Sequence, residues 1–129
     1  MKQIFIIFLF IVMSCSKATD DCPDNLACTE VFVSICTKIT KEGTPSFKPS
    51  KLEVIFTDTG ESKTITSDFN ETYCFINDNE MKRVKKSGSP VQLIGKDGFD
   101  KELFNEKYII GHDCCHVFKI SGKDFITIK

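Results

Sequence analysis

One short stretch, His112-Asp113-Cys114-Cys115-His116, gathers two thiols and two imidazoles within five residues. Thiolate and imidazole are the ligands zinc prefers, and a cysteine beside a histidine is also the pairing that activates a sulfur nucleophile. The spacing argues against both. In an extended chain neighbouring side chains point to opposite faces, so Cys114 and Cys115 would need a sharp bend to share one ion with His112 and His116. Structural zinc sites draw on two separated pairs, and thiol–disulfide exchange of the thioredoxin sort uses a C-x-x-C motif that the chain lacks. The reading that remains is that the two cysteines reach away to different partners. Metal binding or redox chemistry at this cluster stays as the alternative.

Whether thiols survive depends on the compartment, which the first fifteen residues address. Lys2 precedes an unbroken apolar run from Ile4 to Met13, and Val12-Met13-Ser14-Cys15 ends it with a small residue before a cysteine. Ten apolar residues fall short of the roughly 20 that cross about 30 Å of hydrocarbon. The pattern is that of a signal peptide, residues 1–14, and it resembles bacterial lipoprotein signals. That resemblance implies cleavage before Cys15 and lipid on its sulfur and new amino terminus. A cleaved signal without lipidation is the alternative. Each buried CH₂ contributes about 0.8 kcal/mol, so several chains on Cys15 would hold the protein on the membrane.

With Cys15 modified, six cysteines remain: Cys22, Cys28, Cys36, Cys74, Cys114 and Cys115. An even number in an exported chain predicts disulfides. Pairing Cys22 and Cys28 with Cys114 and Cys115 would staple both chain ends to one sheet. Cys36 and Cys74 then bridge each other or sit as small buried hydrophobes.

The chain has 17 basic and 18 acidic residues and a formal net charge of −1. Neither that balance nor the single arginine, Arg83, suits a nucleic-acid partner. Lys82, Arg83, Lys85 and Lys86 form a basic run that reads as a solvated loop or edge strand, or as a contact for anionic polysaccharide or headgroups. A sugar-binding module is a further alternative, weakened by the absence of Trp and the presence of only Tyr73 and Tyr108. Nothing in the chain calls for a cofactor, and no nucleophile motif or carboxylate pair points to an enzyme.

Around these residues the sequence alternates with period two. Residues 28–39 place Val31, Val33, Ile35 and Ile39 on one parity, which predicts a first strand. Leu52 to Thr57 and Ser62 to Thr66 flank the Asp58-Thr59-Gly60-Glu61 turn as a hairpin. Strands are expected at 72–76, 91–94 and 125–128, a longer one runs from Tyr108 to Ile120, bent near Gly111, and one helical turn is expected within 99–106. About seven short strands with no full helix predict an all-β, disulfide-stapled sandwich, immunoglobulin-like or transthyretin-like, over residues 28–129. Residues 15–27 read as the lipidated cysteine and a flexible tether.

The Val-rich first strand, Gly43-Thr44-Pro45, the hairpin through Thr59-Gly60 and Tyr73-x-Phe75 resemble transthyretin-like or carboxypeptidase-regulatory-like sandwich domains. The Cys28-Thr29-Glu30 start and Asp113-Cys114-Cys115-His116-Val117 resemble small lipoproteins of Bacteroidota, whose surface-export signal Ser-Lys-Ala-Thr-Asp-Asp after Cys15 also resembles. The resemblance implies a cell-envelope protein, anchored by lipid to the outer membrane on its periplasmic or outer face. It carries over no activity. The expectation is a non-enzymatic binding or accessory module for a protein or glycan ligand.

Overall fold

A computed structural model describes residues 21–66 and 70–129; Cys15 and the leader lie outside them. Eight strands follow in order: β1 (Ser34–Lys41), β2 (Lys51–Phe56), β3 (Glu61–Ile65), β4 (Thr72–Asn77), β5 (Ser89–Lys96), β6 (Glu102–His112), β7 (Val117–Ser121) and β8 (Phe125–Ile128), with a 3₁₀ helix (Asp78–Arg83) after β4. They form a three-stranded sheet, β4-β1-β8, and a five-stranded sheet, β3-β2-β5-β6-β7. β1 pairs antiparallel with β4 and parallel with β8. Every pairing in the larger sheet is antiparallel. The protein is a disulfide-stapled all-β sandwich. Among the described residues no helix is long and apolar enough to cross a membrane.

Alternation supplies the core. Ile35, Thr37 and Ile39 of β1 turn inward with Tyr73 and Phe75 of β4 and Ile126 and Ile128 of β8. They meet Leu52, Val54 and Phe56 of β2, Val91 and Leu93 of β5, and Tyr108 and Ile110 of β6. The Phe75 and Tyr108 rings join the two sheets, tilted at 51° with centroids 4.6 Å apart, a separation typical of favourable aromatic pairs. Tyr108 also donates its hydroxyl to the Lys123 carbonyl at 3.0 Å. Its ring leaves no room for a side chain at Gly122, whose φ of +128° also disfavours one.

Three sequence expectations change. The first strand begins at Ser34 rather than Cys28, and Val31, expected inside, is 65% exposed. The cause is distant in sequence: Asp78 Oδ2 accepts the Val33 N–H at 2.8 Å and the Asp78 N–H donates back to the Val33 carbonyl. The segment is thereby held off the ladder before Ser34. The helical turn expected within 99–106 does not form, because from Glu102 onward this chain pairs with β5 along its length. Asp97 closes the preceding turn by accepting the N–H groups of Phe99 and Lys101 on Oδ1. The run from Tyr108 to Ile120 is two strands, β6 and β7, folded back at Asp113–His116.

Candidate functional site

The turn between β6 and β7 is built by Asp113. Its Oδ1 accepts the N–H groups of Cys115 at 2.9 Å and His116 at 2.8 Å, and its own N–H donates to the His116 carbonyl. The bonds from His116 and Cys115 hold its carboxyl below the ordinary aspartate range. Cys114 takes a φ of +78°. This bend splays the adjacent cysteines: Cys114 bonds Cys22 and Cys115 bonds Cys28. Cys36 and Cys74 face each other across β1 and β4 and form the third disulfide. All six cysteines of the expected set are therefore paired.

The cluster His112, Cys114, Cys115 and His116 does not converge on one point. His112 is buried and accepts the Cys114 N–H on Nδ1 at 3.1 Å. Among the described residues, the ligand atoms that do approach one another belong to Cys22, His112 and Cys114, within 4.8 Å, and both sulfurs are spent on one disulfide. A disulfide sulfur is neither a thiolate ligand nor a nucleophile.

His116 turns the other way. Its Nδ1 lies 2.9 Å from Asp78 Oδ2 and its Nε2 lies 2.9 Å from Thr29 Oγ1. Asp78 Oδ1 accepts the Val117 N–H at 2.9 Å as well. Partial burial alone would raise the Asp78 carboxyl, but the N–H bonds from Val33 and Val117 and the His116 ring bring it below the ordinary range. The hydroxyl–imidazole–carboxylate order is one that acyl-transfer enzymes also use. None of these three side chains lines the cleft described next, and here they fasten residues 29–33 to β7 and the 3₁₀ helix.

That helix forms one wall of a cleft of about 520 Å³. Asn77 caps it, accepting the Asn79 N–H, while the Glu80 carboxylate reaches back to the Asn77 N–H, a capping box. Met81, Arg83 and Val84 face the cleft from this wall. Asp58 and Thr59 of the β2–β3 turn, Ser89, His112 and the Cys22–Cys114 disulfide complete it. The lining is mostly apolar. Ser89 donates to Asp58 Oδ2 at 3.1 Å and accepts the Lys85 N–H, and the Lys85 ammonium lies 3.0 Å from the same carboxylate. The Lys85 hydrogen bond, with that of Ser89, holds the Asp58 carboxyl below its ordinary value.

The basic run thus lies on the 3₁₀ helix and the chain just after it, and part of it is neutralised: Lys85 by Asp58, and Arg83 by Glu61 at 3.5 Å. Arg83 also sits over the Phe56 ring, 5.3 Å from its centroid. The sequence reading found the cysteines that edge the cleft but not Met81, Val84 or Asp58 as its walls, nor Thr29 and Asp78. The capping pattern Asn77-Asp78-Asn79-Glu80 was the one available signal for the helix. The chain matches no family model, and no curated protein and no solved structure matches it either, so any functional reading rests on this geometry and on the sequence.

Proposed function

We propose that this protein is a lipid-anchored extracytoplasmic binding module whose cleft takes a small, mainly apolar ligand carrying an acidic group. The cleft carries the reading: apolar walls from Met81, Val84 and the Cys22–Cys114 disulfide stand beside Lys82, with Arg83 and Lys85 adding charge that Glu61 and Asp58 partly offset. A concave apolar surface with a few polar groups is the usual form of a small-molecule site. The anchor is supported by the leader and Cys15. Three disulfides suit an oxidising compartment. The role is retention and presentation of a ligand at the cell envelope.

The anilinonaphthalene sulfonate dye, an apolar anion, tests the cleft. It should bind the folded protein saturably with one site, and Met81→Glu should weaken it at least tenfold while the far-UV spectrum and unfolding midpoint hold. Binding unchanged in Met81→Glu refutes the cleft as the site. Intact mass of the membrane-extracted chain tests the anchor, expected as the 15–129 chain plus acyl groups.

A further inference from the structure

The outer face of the larger sheet carries an apolar patch beside the place where the described chain begins. Ile109 and Gly111 on β6 and Phe118 and Ile120 on β7 share that face. Ile109 and Ile120 close over Gly88, while Phe118, Ile120 and the Lys86 carbonyl crowd Gly111. Phe118 and Ile120 remain 41% and 49% exposed. The Lys86 ammonium donates to the Asp21 carbonyl at 2.7 Å, and Cys22 is locked to Cys114, two residues beyond the end of β6. The chain leading back to Cys15 therefore departs from this corner. Asp21 lies six positions after Cys15, and even a fully extended chain of that length spans only about 20 Å.

We propose that the face formed by Ile109, Gly111, Phe118 and Ile120 rests on the lipid bilayer that holds the chain. This rests on the reading of Cys15 as lipidated. A long tether would let the domain tumble freely, whereas a disulfide-clipped attachment this close to an apolar face keeps that face at the bilayer. Apolar side chains enter the headgroup boundary while lysines meet anionic lipid. Lys107, exposed two residues before Ile109 on the same face, and Lys86 at its border supply the charge. The cleft shares Cys22 and Cys114 with this corner.

The chain contains no Trp, so one introduced indole is an unambiguous reporter. The full chain carrying Phe118→Trp, extracted from membranes, is reconstituted into vesicles of phosphatidylethanolamine and phosphatidylglycerol, with plain or brominated acyl chains. Phe99→Trp is the control: Phe99 is 95% exposed and lies before β6, at the far end of that eleven-residue strand from Gly111. Phe118→Trp emission should shift to the blue and fall at least twofold with brominated chains, Phe99→Trp should do neither, and Ile120→Trp should repeat the Phe118→Trp result. Flotation with the vesicles but no quenching at 118 or 120 overturns the docked face and leaves the anchor standing. A blue shift without quenching assigns the face to a second copy and overturns the proposal too. Equal quenching at 99 and 118 means free tumbling, and failure to float removes the anchor and the docked face together.

Discussion

The two amino-terminal disulfides should not act additively, and the size of the departure follows from their nesting. Cys22–Cys114 and Cys28–Cys115 have sequence separations of 92 and 87. With Cys36–Cys74 intact, either alone closes a loop of about 55 residues in the unfolded chain, for which the chain-entropy relation gives about 4.2 kcal/mol at 25 °C. Once one is in place, the other closes only the ring formed by residues 22–28, residues 114–115 and the first bridge. That ring has about nine residues and the same relation gives about 2.5 kcal/mol. Cys22→Ser/Cys114→Ser should therefore cost about 2.5 kcal/mol, Cys28→Ser/Cys115→Ser the same, and the quadruple variant about 7 kcal/mol, well above the sum of the two. Urea unfolding at fixed pH with the remaining cysteines oxidised measures all three. Single-pair losses each above about 4 kcal/mol and simply additive would refute the nested-loop reasoning.

Two further outcomes follow from single side chains. Asp78 holds two backbone N–H groups and the His116 ring, so Asp78→Ala should cost about 3 kcal/mol in urea unfolding. Its carboxyl and that of Asp113 titrate below their ordinary range in the fold. Their stabilisation is thus complete above the unfolded value of about 3.9 and is lost as pH falls through the folded values. Asp78→Asn should flatten that acid limb, and a variant whose stability falls with acid as steeply as the parent contradicts the assignment. Gly122→Ala should destabilise by about 3 kcal/mol, since the new methyl meets the Tyr108 ring at an unfavourable φ. A loss below about 1 kcal/mol would show that the ring can move aside.

The strands that local chemistry defines were legible in the sequence. β2, β3 and the Thr59-Gly60 turn could be read from alternation and turn residues, and β8 from its β-branched run after Gly122. What was not legible was decided by residues far away in the chain. Residues 28–33 alternate as well as β1 does, and only Asp78, some 45 positions later, ends the strand at Ser34. Residues 102–106 look helical or extended in isolation, and β5 decides the matter. The joining of Cys22 and Cys28 to the adjacent cysteines followed from chain-end geometry, but which pairs with which depends on the splay imposed by Asp113. The cleft draws on separate segments that no local pattern connects.

The same disulfide pattern sets an order of events for a chain that emerges amino terminus first. Cys22, Cys28 and Cys36 appear early and together, while their proper partners at 74, 114 and 115 follow much later. An oxidant that joins cysteines as they arrive would link Cys22 to Cys28 and strand the terminal pair. Native oxidation thus requires either delay until residue 115 has emerged or thiol–disulfide exchange to undo an early error. β8 imposes a parallel wait, because the smaller sheet gains its third strand only from residues 125–128. Yield of the native isomer should therefore depend on a disulfide isomerase more than on an oxidase, a demand written into the non-consecutive order of the pairs.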